Sequence, residues 1–586
     1  MSKIVYVCYK NPELRDTILS DILRISDRIS PDNITPAPTK ILEQDGIIYG
    51  IINPVDVTKE ENGSVLLGGA FGDTTNWSKP KASLPDGSYA IFRADSDYVE
   101  VATDAAGSRS VWYYQDDDLF IAATSQRAIV AIIGNFQFNK NVLPWILSTG
   151  SLGPSNSWDS RIKLLTPDSS IILNRTNWTL EILSNKIEFK PQNSPDADQE
   201  NLLQAALLDT FSGLNLDFDK WALPLSGGYD SRGILCLLDK IGAKLSKLRA
   251  ITWGLNSSVN EKGNDAYVAK KLASFFNMPH KYYSTDLANE PIETVLNRFI
   301  TCGEGRIDHI GGYLDGFKIW KTLYEENVQG VIRGDVSFSE KPAISIDVIR
   351  AMQGMSLCSD YSNLQNYETL GLPKQEVPTH LTQQTGESIT AFRDRLYHQF
   401  RIPTILAALN DLKLSYVEIL NPLLSRRVLY QTRQLPDHLR SGKTLFKKVV
   451  NTYSPKIEYA SSNATASMTN VLKSAEVVNL FKSEFSLASN QHAISKELLE
   501  FASSNLKTKS GEDLQKRSSF KALIKRLAPA WLKNKRHYIA KSSSLDPNII
   551  GFRIYTICKM HQLLLEDANR NQLEREFSLS ASRNVN

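Results

Sequence analysis

The sequence predicts an α/β protein in two parts, packed antiparallel sheets first and a parallel-sheet domain after them. Three observations carry that prediction. At 586 residues the chain is well past the size at which one hydrophobic core stops growing. Residues 1 to about 185 read as short β-type runs separated by turn chemistry. Beyond residue 201, longer helical segments alternate with short apolar runs, the texture of α/β units.

In the first part the expected strands are IVYVCY (4–9), IIYGIIN (47–53), SVLLGGAFG (64–72), SYAIFRAD (88–95), YVEVATD (98–104), SVWYYQDDD (110–118) and LFIAAT (119–124). Asp86-Gly87 and Asp116-Asp117-Asp118 are expected turns. The polar stretch PQNSPDADQEN (191–201), with two prolines and no apolar periodicity, is the expected linker between domains at 1–190 and 202–586. In the second part WALPLSGG (221–228), LRAITWG (248–254) and VQGVIRGD (328–335) contain the expected parallel strands. Val268, Leu272 and Phe275 stand at i, i+4 and i+7 and predict a helix from Asn264 to Asn277. Ile550, Ile554, Ile557 and Leu564 give an apolar face to a closing helix from Asn548 to Glu566.

Composition narrows the function. A formal net charge of +3 over this length carries no signature of a nucleic-acid binder. The one charge bias is local, eleven Lys or Arg between Lys507 and Lys541 against Glu512 and Asp513, and a solvated helical surface is its ordinary explanation. The five cysteines are scattered and form no zinc-type pair, so they read as reduced thiols. The start MSKIVYVCYKNPELRD has charges through its apolar segment and does not resemble a secretory signal. No apolar run approaches the ~20 residues that span a bilayer, so a cytoplasmic protein without membrane contact is expected.

The most informative segment is the apolar run Trp221 to Leu225, then Ser226-Gly227-Gly228-Tyr229-Asp230-Ser231, then a helical run to Lys240. A strand, a glycine turn and a helix start present backbone N–H groups, two hydroxyls and a positive helix end to an anion. Asp230 accepts hydrogen bonds only, and so suits a magnesium ion bridging phosphate oxygens. Gly442-Lys443-Thr444 mimics the end of a Walker A loop, but Asp437 stands where the earlier glycine is required, which removes a kinase-like or GTPase reading.

SGGYDS resembles the SGGxDS signature of the PP-loop ATP pyrophosphatases, and the chain as a whole resembles the asparagine synthetase family. The resemblance rests on GSYAIFRAD, DAAGSRSVWYY and FIAATSQRAIVAII in the first part, and on SGGYDS, VIRGD, YVEILNPLLSRRVL and GKTLFKK in the second. It implies an Ntn-type αββα sandwich, glutaminase-like, ahead of a PP-loop synthetase domain with a helical C-terminal part. It also implies a nucleotide site of Leu225, Ser226, Gly227, Gly228, Asp230, Ser231 and Gly334, with Ile251, Trp253 and Gly254 beside the adenine. ATP and Mg2+ are the implied cofactors. Lys443, the lysine of GKTLFKK, would stabilise charge developing on an acyl-adenylate. Glu418 would lie in the same cleft as a base or ion-pair partner, and Glu304 and Asp308 are further candidate acids.

Two departures shape the expected reaction. Class II glutaminases use an N-terminal cysteine whose own α-amine is the base. Here Ser2 stands at that position, and Cys8 lies inside an apolar run, so no glutamine hydrolysis is expected. Typical members also read like SGEGADE where this chain has Arg333-Gly334-Asp335-Val336-Ser337-Phe338-Ser339-Glu340. Phe338 occupies the usual magnesium aspartate position, which leaves Asp335 or Glu340 to complete a metal site with Asp230.

The resemblance therefore implies an amide-forming ligase that adenylates a carboxylate, releases AMP and pyrophosphate, and uses an amine from a source other than glutamine. Among relatives the pattern resembles β-lactam synthetases and lasso peptide cyclases, with macrolactam formation in a peptide natural product. The expected partners are then the carboxylate substrate, a precursor peptide and a partner peptidase. Two alternatives stand beside it: ammonia-dependent amidation of an amino acid or sugar acid, and a non-catalytic nucleotide-binding protein.

Overall fold

The computed structural model describes residues 2–285, 287–339, 344–462, 464, 471–509 and 544–569. The strands of the first part are β1 (Lys3–Tyr9), β2 (Lys40–Gln44), β3 (Ile47–Ile52), β4 (Lys59–Glu61), β5 (Ser64–Phe71), β6 (Asp86–Ala94), β7 (Tyr98–Thr103), β8 (Trp112–Gln115), β9 (Leu119–Ala123), β10 (Lys163–Leu164), β11 (Ser169–Asn174) and β12 (Leu180–Ser184). They form two six-stranded antiparallel sheets, ordered β10-β8-β9-β1-β3-β2 and β12-β11-β7-β6-β5-β4.

Alternation along β1 shows how the sheets pack. Ile4, Tyr6 and Cys8 point into the core between the sheets, where they meet Val65, Phe92 and Val101. Val5 and Val7 point the other way, onto α1 (Arg15–Arg28) and α2 (Gln126–Ile133). The outer face of the second sheet differs from the αββα expectation: Leu66, Tyr89, Ile91 and Ala102 pack on Trp77, in the loop joining β5 to β6, rather than on a helix. Asp86-Gly87 is a strand start and not a turn, because Asp86 Oδ1 accepts the Arg426 N–H at 2.7 Å and so caps a helix of the second part.

The linker is shorter than its polarity suggests. Helix α3 (Asp196–Ser212) begins inside 191–201, where Pro195 and the first-turn acids Asp196 and Asp198 favour a helix start. Just before it, Lys190 and Gln192 donate their N–H groups to Arg433 O and Gln434 O at 3.0 and 2.8 Å.

Five strands build the second part: β13 (Trp221–Pro224), β14 (Arg249–Gly254), β15 (His280–Ser284), β16 (Gly330–Ile332) and β17 (Glu418–Leu420). All are parallel, in the order β15-β14-β13-β16-β17. Both faces are covered, as a parallel sheet requires. Leu223, Ala250, Ile332 and Leu420 pack toward α4 (Tyr229–Lys240) and α5 (Asp265–Phe275). Ala222, Ile251, Val331 and Ile419 pack toward α6 (Ile292–Gly303) and α7 (Lys318–Glu325). The strand order reverses between β13 and β16, and open α/β sheets bind ligands outside the carboxyl ends of the strands at such a point.

Two further helices matter below, α8 (Thr444–Tyr453) and α9 (Pro547–Ala568). The latter is buried on more than the one face its periodicity suggests, and it ties the two parts together. Asp567 receives Arg127 and Arg28 of the first part, while Arg553 pairs with Asp308 and donates to Leu147 O at 2.6 Å. The basic segment 507–541 lies outside the described residues from 510 onward. Among the described residues no helix is long and apolar enough to cross a membrane.

Candidate functional site

The turn after β13 lies at the reversal point. Leu225 donates its N–H to Ile251 O at 2.8 Å, and the chain then leaves the sheet. Ser226 N–H is accepted by Ser231 Oγ at 3.0 Å, and the two hydroxyls stand 2.9 Å apart. Gly228 N–H is accepted by Ser226 Oγ at 3.2 Å, and α4 begins at the next residue with Asp230 in its first turn. Gly227 is required by close approach, since a Cβ there would sit 2.4 Å from Ala460 Cβ and 2.9 Å from Val268 Cβ. Its N–H points to Asp265 Oδ1 at 3.2 Å, so the turn already holds one anionic oxygen. The N–H groups of Ser226, Gly227 and Gly228 are thus met by side-chain oxygens of the protein, and an anion bound by this turn would take them over from those oxygens.

Two predicted residues, Lys443 and Gly334, converge on the turn, and Asp335 follows Gly334 in the same loop. Lys443 adopts a left-handed φ of 61° ahead of α8, and its Nζ donates to both carboxylate oxygens of Asp230, at 2.8 and 2.7 Å. Gly334, after β16, approaches closely enough that a Cβ would lie 3.3 Å from the Asp230 carbonyl carbon and from Ser231 N. Beside it Arg333 Nε donates to Asp335 Oδ2 at 2.9 Å. Tyr397 and His398 open a π-helical segment, Tyr397–Leu406, and reach consecutive carbonyls of this loop, Val336 O at 2.9 Å and Ser337 O at 2.8 Å. Burial raises the Tyr397 hydroxyl pKa, and the charges of Asp335 and Asp230 add to the rise while Arg401 opposes it.

Other predicted residues are not brought to the turn. Glu418 begins β17 in register with Gly330, at the opposite end of the sheet from the crevice. It is buried, ion-paired with Arg109 of the first part, and accepts its neighbour Ile419 N–H at 3.0 Å. The carbonyls of Ile251 and Gly254, expected beside the adenine, already accept hydrogen bonds within the protein. Ile251 O is taken by Leu225, Gly254 O accepts Thr285 N–H at 2.9 Å, and Ala464 packs where a Gly254 Cβ would be. β14 is paired on both sides as far as Ile251, while Thr252 to Gly254 run past the end of β13 and pair with β15 alone. Trp253 is half-buried edge-on against Trp320, 5.7 Å between centroids. Glu304 caps α2 through Gln126 N–H at 2.9 Å, and Asp308 holds Arg553, so neither acid lines a pocket at the turn.

The donor set for magnesium is sparse. Among the described residues no three His, Cys, Asp or Glu side chains gather as a metal site. Asp230 is held by Lys443 and Asp335 by Arg333, while Glu340 lies outside the described residues. Phe338 is a core residue stacked on Phe446 at 5.7 Å. One or two carboxylates suit a magnesium ion carried in with the phosphates rather than one caged by the protein.

Asp265, Arg333 and Tyr397 do not stand out as site residues in the sequence alone. Asp265 carries a usable signal, since Asn264-Asp265 opens a predicted helix directly after the strand beside the turn. No protein-family model matches the sequence, and no curated protein matches it.

Proposed function

We propose that the chain is an ATP-dependent carbon–nitrogen ligase of the asparagine synthetase type, with an Ntn-like sandwich ahead of a PP-loop synthetase domain. It adenylates a substrate carboxylate, releases AMP and pyrophosphate, and passes the acyl group to an amine that does not come from glutamine. One observation carries the reading: SGGYDS forms a closed turn at the β13/β16 reversal point, and Lys443 comes back from 213 residues away onto Asp230. In this role the turn grips the leaving pyrophosphate. Lys443 sits where negative charge grows in the transition state, the arrangement that contributes most when the donor is fixed in advance. Magnesium, when bound, neutralises and orients the phosphates.

The amine source follows from Ser2. Its Oγ accepts Val55 N–H at 3.1 Å and lies 3.3 Å from Asn53 O, and the residue is fully buried. A hydroxyl so engaged supports a scaffold role for the sandwich, and the amine is then delivered by the substrate, as in closure of a peptide macrolactam. Intramolecular delivery raises the effective amine concentration without an ammonia channel. The test is exchange of labelled pyrophosphate into ATP with a panel of acidic peptides, amino acids and sugar acids. Carboxylate-dependent exchange supports the reading. Its absence across the panel, with ATP demonstrably bound, counts against adenylation. A peptide that loses one water identifies macrolactam closure, whereas an amide formed only with added ammonium rejects it.

A further inference from the structure

We infer that Arg333 is a phosphate-binding residue of this site, its guanidinium supplying the positive charge that an acid-held metal at position 338 would otherwise bring. The inference rests on the proposed function and goes beyond it, since nothing in the resemblance assigns a role to an arginine here.

Four observations lead to it. Arg333 is the first residue after β16, at the reversal point, and its neighbour Gly334 lies against the Asp230–Ser231 backbone at the start of α4. The side chain is 22% exposed, and only Nε is engaged, on Asp335. Among the described residues its two terminal nitrogens make no hydrogen bond that a ligand would have to displace. The guanidinium is also held in place: Asp335 grips one side, and Tyr397 and His398 fix the next two carbonyls from the π-helical segment. A planar fork pre-oriented by a carboxylate is the geometry that binds a phosphate in bidentate fashion.

Asp230 and Asp265 stand at the turn and Asp335 in the loop beside it, so a cation there offsets carboxylates that would otherwise repel a polyphosphate. At the position where the resembling family carries its second magnesium acid, Phe338 is 3% exposed and stacked in the core, and cannot hold a metal there. The loss of that acid and the gain of a guanidinium five residues earlier in the same loop are complementary changes.

Isothermal titration of the full-length protein with ATP, once with magnesium and once with EDTA, tests this. The unmodified protein is expected to bind ATP in both. Arg333→Met should weaken binding at least tenfold in EDTA and in magnesium. Arg333→Lys, which keeps the charge and loses the fork, should fall between them and decides the matter should the methionine variant fail to fold. Binding by Arg333→Met and Arg333→Lys within twofold of the unmodified protein overturns the inference while leaving the ATP reading intact. Failure of the unmodified protein to bind ATP in either condition overturns both.

Discussion

Glu418 and Arg109 form a buried ion pair across the two parts of the chain, with side chains 1% and 4% exposed. Removing one partner of such a pair leaves a buried charge uncompensated and costs about 3–5 kcal/mol. Arg109 also donates to Ser2 O at 3.2 Å, so Arg109→Met strands a second buried acceptor. We therefore expect Arg109→Met at the upper end, about 4–5 kcal/mol. Glu418→Gln keeps an acceptor for both Arg109 and the Ile419 N–H, and should cost about 2 kcal/mol. The double variant Arg109→Met/Glu418→Leu removes both charges and should be less damaging than Arg109→Met alone. Hydrogen exchange read by mass spectrometry reports local opening. At about 1.4 kcal/mol per tenfold, exchange in peptides covering β1 and β17 should rise roughly a thousandfold in Arg109→Met and about thirtyfold in Glu418→Gln. Turnover by Glu418→Gln should remain within tenfold of the unmodified protein, since the carboxylate lies at the far end of β17 from the crevice. Exchange in Arg109→Met within threefold of the unmodified protein would refute the structural assignment. A hundredfold loss of turnover in Glu418→Gln without a change in exchange would return Glu418 to the catalytic set.

Three further outcomes follow from the same geometry. Lys443→Met should lose at least a hundredfold in turnover, because removing a fixed donor of this kind costs about 3 kcal/mol, and a less than tenfold effect would remove Lys443 from the mechanism. Gly227→Ala should destabilise by about 1–3 kcal/mol and weaken ATP binding, since the new methyl overlaps Ala460 and Val268; unchanged melting and affinity would contradict the close approach. Burial would raise the Asp308 carboxyl, but Arg553 and His309 hold it down to about 2. Its folded value is thus below the ordinary ~4, so its stabilisation is complete above about pH 4 and is lost as pH falls toward 2. The melting temperature should drop over that window, and the drop should be smaller in Arg553→Met; equal slopes would contradict the coupling.

Much of the fold is legible in the sequence because the physics is local. The runs at 4–9, 47–53, 64–72, 98–104 and 119–124 combine β-branched and aromatic residues with turn chemistry at their ends, and β1, β3, β5, β7 and β9 form there. The helix predicted from Asn264 to Asn277 is α5, a few residues shorter. Strands β4 and β12 leave no such mark because edge strands are polar or exposed: β4 is Lys-Glu-Glu, and β12 is exposed over 181–184. Helix α1 carries an i, i+4, i+7 pattern in Ile18, Ile22 and Ile25, but a single helix among strands is easily lost in a β-type texture. Asp86-Gly87 looks like a turn because its purpose is a cap on a helix 340 residues later, which no local window contains.

The site divides along the same line. The strand–turn–helix at Ser226 to Ser231 is contiguous, and can be read from one segment. A place for Lys443 in the same cleft is implied only by resemblance, and its contact with Asp230 appears only in the structure. A motif match does not say which end of a strand Glu418 occupies, and only the register shows that β14 runs past the end of β13 beyond Ile251. Arg333 does not stand out in the sequence, and its pairing with Asp335 appears only in three dimensions.

The central claim is cleavage of ATP between its α- and β-phosphates. The most direct measurement is the product formed from α-labelled ATP by the full-length protein with magnesium and the peptide or acid that supports pyrophosphate exchange, with Asp230→Ala run alongside. The account predicts labelled AMP, pyrophosphate in equal amount, and no turnover by Asp230→Ala. Labelled ADP as the stoichiometric product, or AMP formation undiminished in Asp230→Ala, would contradict it.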